Sequence, residues 1–275
     1  MVWFPYLGGM VLLILLAMLF WRQLDHHADR VAWNTLARAN QHKQTFFSLD
    51  MIRDLPEPAR RYYLFTITPG TPIHTAVRLK ITGKIGRGTL SDHSYLPMEA
   101  EQILAPPHGL IWKVRAGQLS GSDGVMPDAS WTRFWLFGVL PVVRAGGSDH
   151  HRSAFGRVIA EAAIWAPASL LPSDCVRWDT VDENTARAIV RGCNFEQAVD
   201  ITVDERGAPT AYVIQRWSNE NPERIYREQP FGGVGSDFRW FDGYRLPASV
   251  EGGNHFGTDA YFPFYKARVL TVDPV

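Results

Sequence analysis

Arg157, Glu161 and Trp165 are spaced four residues apart, so on a helix they stack along one face. A carboxylate beside a guanidinium and under an indole can move a proton or recognise an anion. The plainer role is an intrahelical ion pair that ties a helix to its surroundings. Arginine preceding glutamate is the weaker order in an isolated helix, so partners elsewhere in the fold are expected. Asp149-His150-His151-Arg152 forms a second cluster. Adjacent histidines could hold a metal or shuttle a proton near neutral pH, and an enzyme using Glu161 with His150 or His151 is one reading. Neighbouring side chains in a regular element point apart, however, and no HExxH-type spacing accompanies them. The cluster follows Gly146-Gly147-Ser148 and reads as a polar loop capping the next helix. Asp25-His26-His27 has the same weakness. No metal site is expected.

Other catalytic signatures are missing from the sequence. There is no GxSxG elbow, no GxxxxGK[ST] loop and no GxGxxG after a strand, so neither a serine nucleophile nor a phosphate cradle is indicated. Gly232-Gly233-Val234-Gly235 is glycine-rich, but no apolar helix follows it, and it reads as a flexible loop. No catalytic residue and no cofactor are assigned. The remaining clue is aromatic: 10 Trp, 9 Tyr and 15 Phe. They cluster at Trp131, Phe134, Trp135 and Phe137, at Phe238, Trp240 and Phe241, and at Tyr261, Phe262, Phe264 and Tyr265. Burial in a core is their default role, but a curved sheet could also present them to an apolar ligand. The candidate ligand-binding set is Trp135, Arg157, Glu161, Trp165, Trp178 and Trp240.

The chain of 275 residues carries 28 Lys and Arg against 28 Asp and Glu. Zero net charge argues against a nucleic-acid partner, which needs a basic surplus. Hydrophobic residues make up 46%, too many for a disordered chain. No charge falls between Val2 and Trp21, and Val11 to Phe20 reads VLLILLAMLF. About 20 apolar residues match the roughly 30 Å hydrocarbon layer. Trp3, Tyr6 and Trp21 sit near the two ends, where such rings favour the headgroup level. A cleaved signal peptide would want basic residues before the run and small ones at a cleavage site, so an uncleaved single-pass anchor in the cell membrane is expected. Arg22, Arg30 and Arg38 follow the span, which favours a cytoplasmic body. Cys175 and Cys193 pull the other way if they pair; two buried free thiols are the alternative. The side of the membrane stays open.

Expected organisation is an anchor over residues 1–21, a juxtamembrane helical stalk over 22–45, and a single antiparallel β-sheet domain over 46–275. Leu24, Val31 and Leu36 recur near helical spacing among charges, so the stalk is expected to be solvated. Pro56 and Pro58 open a helix over 59–66. Period-two alternation predicts strands over 77–83, 95–104, 110–119, 175–181, 185–191, 197–204, 209–217, 238–241, 244–250 and 259–272. Residues 131–144 are apolar but too short for a second span, and read as a buried connection or a membrane-facing hairpin. A helix over 153–165, within a helical insertion near 150–171, ends at Pro167. With no parallel crossover pattern, the fold class is α+β: an N-terminal transmembrane helix, then a mostly antiparallel, curved sheet (a half-barrel) of nine or ten strands packed with a few helices.

Several words carry a resemblance. They are Leu55-Pro56-Glu57-Pro58-Ala59-Arg60-Arg61-Tyr62, Gly83-Lys84, Pro97-Met98-Glu99-Ala100-Glu101-Gln102, Arg157 to Glu161 followed by Trp165-Ala166-Pro167, Trp178, and Gly243-Tyr244-Arg245-Leu246-Pro247. In this order they resemble a bacterial family of unknown function with LPxPxxRY and RxxxExxxWxP words, over most of the chain from Leu55 onward. That family implies no activity and no catalytic residues. The layout is also similar to the lipoprotein-carrier (LolA/LolB-like) fold, which implies a curved sheet closed by helices around an apolar cavity.

Three functions are therefore expected to compete. One is a membrane-anchored, non-catalytic module holding a lipid or other apolar ligand, which calls for an aromatic-lined cavity above about 300 Å³. Another is an accessory subunit docking a membrane-protein complex through its anchor and residues 131–144, which calls for exposed apolar area there. The last is the enzyme, which requires Glu161, His150 or His151 to converge in one pocket.

Overall fold

Strand β1 (Val77–Gly88) and strand β13 (Phe262–Pro274) lie side by side in the middle of the sheet, although nearly 200 residues separate them. Everything else is built outward from that seam. In a computed structural model that describes residues 4–38, 45–88 and 90–275, the chain forms one antiparallel sheet of thirteen strands. On one side of the seam follow β2 (His93–Ala105), β3 (Gly109–Ala116), β4 (Leu119–Met126), β5 (Ala129–Leu136) and the edge strand β6 (Leu140–Ala145). On the other side run β12 (Tyr244–Asn254), β11 (Arg227–Phe241), β10 (Pro209–Ser218), β9 (Phe195–Val203), β8 (Thr185–Gly192) and the opposite edge, β7 (Val176–Thr180). The sheet is two meanders joined along β1 and β13, curved and unclosed. Its class is α+β.

Helices fill the inner face. Helix α2 (Glu57–Thr66) starts at Pro56 and has Pro58 in its first turn, where a missing N–H costs nothing. Helix α3 (Ser148–Trp165) connects the two edges of the sheet and ends at Pro167, in a short 3-10 turn over Pro167–Leu170. It begins at Gly147, whose φ of 96° suits glycine, so Asp149, His150 and His151 lie in its first turn and not in a preceding loop. Phe155, Val158, Ile159 and Ala162 of α3 are buried with Tyr62 and Tyr63 of α2 against Leu79, Leu104, Val199, Ile201 and Ile214 of the strands. Tyr62 donates its hydroxyl to the Ala163 carbonyl at 2.6 Å, joining the two helices.

Helix α1 (Phe4–Arg38) is continuous. Its 35 residues make roughly 52 Å at 1.5 Å each, more than the roughly 30 Å a bilayer requires. The surplus is docked, not a solvated stalk. Leu24 and Val31 are exposed, while Asp25, Asp29, Ala32 and Leu36 turn inward. Ala32 and Leu36 pack on Ile103, Ala105, Ile111 and Trp131, on the outer face of β2, β3 and β5. The carboxylates are turned in because partners await them. Arg144 donates to Asp25 at 2.6 Å, Trp135 Nε1 donates to Asp25 at 3.0 Å, and Arg133 lies 3.8 Å from Asp29. In this stretch the sheet therefore has helices on both faces, which explains the unbroken burial of Ile103, Leu104 and Ala105. Trp3 of the expected anchor and residues 39–44 of the expected stalk lie outside the described residues.

Two further expectations are corrected, and the cysteines, left open by the sequence, are described. The sheet has thirteen strands, because the Gly- and Ser-rich segment 119–126 and the apolar segment 131–144 supply β4, β5 and β6. Gly232 to Gly235 are not a loop. They belong to β11, where a Cβ at Gly233 would overlap the Glu251 carbonyl and one at Gly235 would meet Pro247. The cysteines are unpaired, Cys175 exposed and Cys193 half-buried. Cys193 Sγ donates to the Pro107 carbonyl at 3.3 Å, and burial pushes its thiol pKa up to about 11.

Candidate functional site

Between α3 and the seam strands lies a cavity of about 190 Å³. Its apolar wall comes from Ile85, Ile164, Phe231, Val250 and Phe264, with the backbone of glycines 232, 233 and 252 beside them. Its other wall is polar. Arg157 is the centre of that wall, a guanidinium from α3 placed against β2 and β4. It donates to Glu161 at 2.6 Å, to Asp123 at 3.1 Å and to Gln102 Oε1 at 3.4 Å. Gln102 in turn donates its amide to the other oxygen of Glu161. Burial works against the charge on Arg157, but Glu161 and Asp123 outweigh it and hold the guanidinium above its ordinary range.

Arg216 on β10 completes the charged set. It donates to the backbone and side-chain oxygens of Ser153, at 3.2 and 3.1 Å, and lies over the Phe231 ring. Burial, and then the nearby Arg157 charge, lower its pKa to about 10. Among the described residues, three buried polar atoms of the cavity lining make no well-formed hydrogen bond: Asp123 Oδ1, and Trp112 Nε1 and Tyr265 OH, which lie against each other. Burial and the Glu161 carboxylate hold the Tyr265 phenol protonated, so its hydroxyl remains a donor. Buried polar groups are normally paired inside the protein or by a bound molecule.

Of the expected binding set, Arg157, Glu161 and Trp165 line this cavity. Trp165 also donates from Nε1 to the Pro247 carbonyl at 3.4 Å. The other three stand apart. Trp135 is on the outer face, bonded to Asp25. Trp178 packs on Tyr62 and Tyr63 and donates to the Leu170 carbonyl at 2.8 Å. Trp240 is 60% exposed, with Arg245 beside it. The histidines do not join Glu161. His150 faces a smaller adjoining pocket of about 60 Å³ that shares Asp123, Arg157 and Arg216 with the cavity; it is held between the Ser130 and Thr132 hydroxyls, and burial lowers its pKa. His151 touches the Met126 carbonyl. No cluster of metal-ligating side chains occurs among the described residues.

Gln102, Trp112, Asp123 and Arg216 are not in the expected binding set, and Tyr265 enters the sequence reading only as one ring of an aromatic cluster. Two of them were readable: Gln102 follows Met98 and Ala100 at period two, and Arg216 follows Tyr212 and Ile214, so each is a polar residue on a buried stripe. A second, larger cleft of about 700 Å³ lies on the outer face between the base of α1 and the sheet. It mixes Arg22, Lys113 and Arg133 with Asp25, Asp29 and Glu101.

Around α3, words far apart in the sequence thus meet: Tyr62 with Ala163, Gln102 with Glu161, and Trp165 with Pro247. A family model described as "Family of unknown function (DUF6544)" matches residues 45–267. The chain belongs to that family. No curated protein matches it. Among solved structures it is similar to a LolA superfamily protein from Nitrosomonas europaea, at 8% identity and a TM-score of 0.41, over 79% of this chain and 92% of the other. It is also similar to a domain from Vibrio parahaemolyticus described as outer membrane lipoprotein-sorting, at 9% identity and 0.38, over 72% and 85%. A DUF1329 family protein from Desulfovibrio piger follows at 6% and 0.38, over 73% and 86%. At these scores the likeness is one of general layout and says nothing about a ligand. Helix α1 is long and apolar enough to cross a membrane, a property it shares with signal sequences.

Proposed function

We propose that this member of the family is a membrane-anchored, non-catalytic binding module that holds an apolar or amphipathic small molecule, such as part of a lipid, in the cavity beneath α3. The cavity carries the reading: one wall is apolar, and the other carries the charged groups of Arg157, Glu161, Asp123 and Arg216. A ligand with a polar end and an apolar body satisfies both walls at once. Volume limits what enters. The space falls below the 300–1,000 Å³ of sites for drug-sized ligands, and an apolar cavity of about 150 Å³ takes benzene. The enclosed part of the ligand is therefore ring-sized or a short stretch of chain, and a whole diacyl lipid does not fit.

Catalysis is the weaker reading, because both Glu161 oxygens already accept hydrogen bonds and His150 sits in another pocket. An accessory subunit docking a membrane-protein complex gains support from the exposed Phe137 of the turn after β5 and the exposed apolar residues of β6. Native mass spectrometry of the full chain purified in detergent, followed by organic extraction, tests the binding module. A stoichiometric small molecule is expected, displaced in Ala160→Leu, which fills the cavity from α3. A clean apo mass from the unaltered chain overturns the proposal.

A further inference from the structure

The β5–β6 hairpin is unlike the rest of the surface. Phe137 is 63% exposed, Leu140 43%, Val142 48% and Val143 45%. Val142 is the extra residue of a β-bulge opposite Phe134 and Trp135, and it and its neighbour Val143 are both left exposed on the edge strand. Edge strands are usually blunted by charge or brevity. The opposite edge obeys this: β7 has five residues and displays an Arg177–Asp179 ion pair. Strand β6 has Pro141, which lacks an N–H and so hinders addition of another strand, yet its surface is apolar.

Its position says what covers it. The turn residue Gly138 abuts the Arg22 guanidinium so closely that a Cβ there would overlap it. Trp21 meets Trp135 edge-on at 5.8 Å, and the Arg144 guanidinium lies 4.3 Å over the Trp21 ring. Trp21 and Arg22 are the residues at which the uncharged run of α1 ends, so the hairpin lies level with the mouth of the span. Aromatic rings and arginines with apolar stems are the groups that favour the bilayer interface.

We infer that the tip of the hairpin, Phe137 to Val143, is a second membrane contact, lodged in the interfacial layer of the bilayer that α1 crosses. This rests on the reading of α1 as a membrane span. Two contacts, helix and hairpin, fix the β6 edge of the sheet at the lipid surface and leave the β7 edge in water. A rigid attachment follows, in place of a domain swinging on a tether.

Site-directed spin labelling of the full chain in phosphatidylcholine vesicles tests it. In a Cys175→Ser, Cys193→Ser background, a nitroxide is attached in turn to Leu13→Cys, Phe137→Cys, Val142→Cys and Ile225→Cys. Relaxation by oxygen, which partitions into lipid, is compared with relaxation by a water-soluble nickel chelate. Oxygen is expected to dominate at 13, 137 and 142, and nickel at 225, which is 61% exposed and outside the hairpin. Lipid contact at 13 with water contact at 137 and 142 overturns the inference and leaves the anchor standing. Water contact at 13 removes both. Labels at 137 and 142 reached by neither reagent mean that protein, not lipid, covers the hairpin, and also overturn it.

Discussion

Arg157 is where the candidate site and the stability of the fold meet. Its guanidinium pairs with both Glu161 and Asp123, whose side chains are 11% and 28% exposed. Taking away one partner of a buried ion pair leaves uncompensated charge, at a cost of about 3–5 kcal/mol. Arg157→Met is therefore expected to lower unfolding stability by roughly that amount. Arg157→Lys keeps the charge but not the fork of donors that serves three acceptors, and should fall between the variant and the parent chain. Thermal denaturation in detergent measures both, and a neutral Arg157→Met would show that the network carries no weight in the fold. The four-residue spacing of Arg157, Glu161 and Trp165 made this face legible in the sequence. What closes around it was less so, because Asp123 lies in a Gly- and Ser-rich strand with no apolar alternation, and ring type alone does not tell Trp112 and Tyr265 from ordinary core rings. Trp135, Trp178 and Trp240 lie away from this cavity, and ring type does not record which face of a strand is inward.

Among the elements, α1 departs furthest from the simple rule that apolar residues face the protein. Leu24 and Val31 face out and two aspartates face in, because Arg133, Arg144 and Trp135 on the outer face of the sheet supply partners that a helical wheel cannot see. Leu36, by contrast, is fully buried on the outer-face core. Leu36→Ala should cost roughly 2–5 kcal/mol, the usual range for a buried leucine, while Leu24→Ala should change stability by no more than about 0.5 kcal/mol. Equal, small effects in thermal melts would mean that the base of α1 stands free. Strands with clean alternation, such as Val199, Ile201 and Val203 of β9, were legible within a residue or two. β4 and the glycine stretch of β11 were not, since small residues are selected there by close approach of neighbouring chains and carry no periodic signal. The apolar character of 131–144 could be read, but not its meaning as two paired strands, because exposure at an edge and burial in a core demand the same residue types.

At the scale of the whole molecule, the sheet's two meanders are contiguous only along β1 and β13, and α3 is the piece that makes them one body. It runs from the β6 edge back to β7 and packs on β2, β3, β4 and β5 of one meander and on β9, β10 and β12 of the other. Peeling the meanders apart would uncover α3 together with the charged wall of the cavity, so neither half can open alone without exposing its core. Cooperative loss of both halves in a single transition follows. Gly83 offers a way to test it, because it sits at the seam on β1, opposite Ala267 of β13. A Cβ at position 83 would overlap the Lys266 carbonyl. Gly83→Val forces the seam strands apart and should cost about 1–3 kcal/mol, as overpacking does. Differential scanning calorimetry of the full chain in detergent should then show one peak, shifted to lower temperature. If the seam alone held the meanders together, the same substitution would uncouple them and split the transition in two.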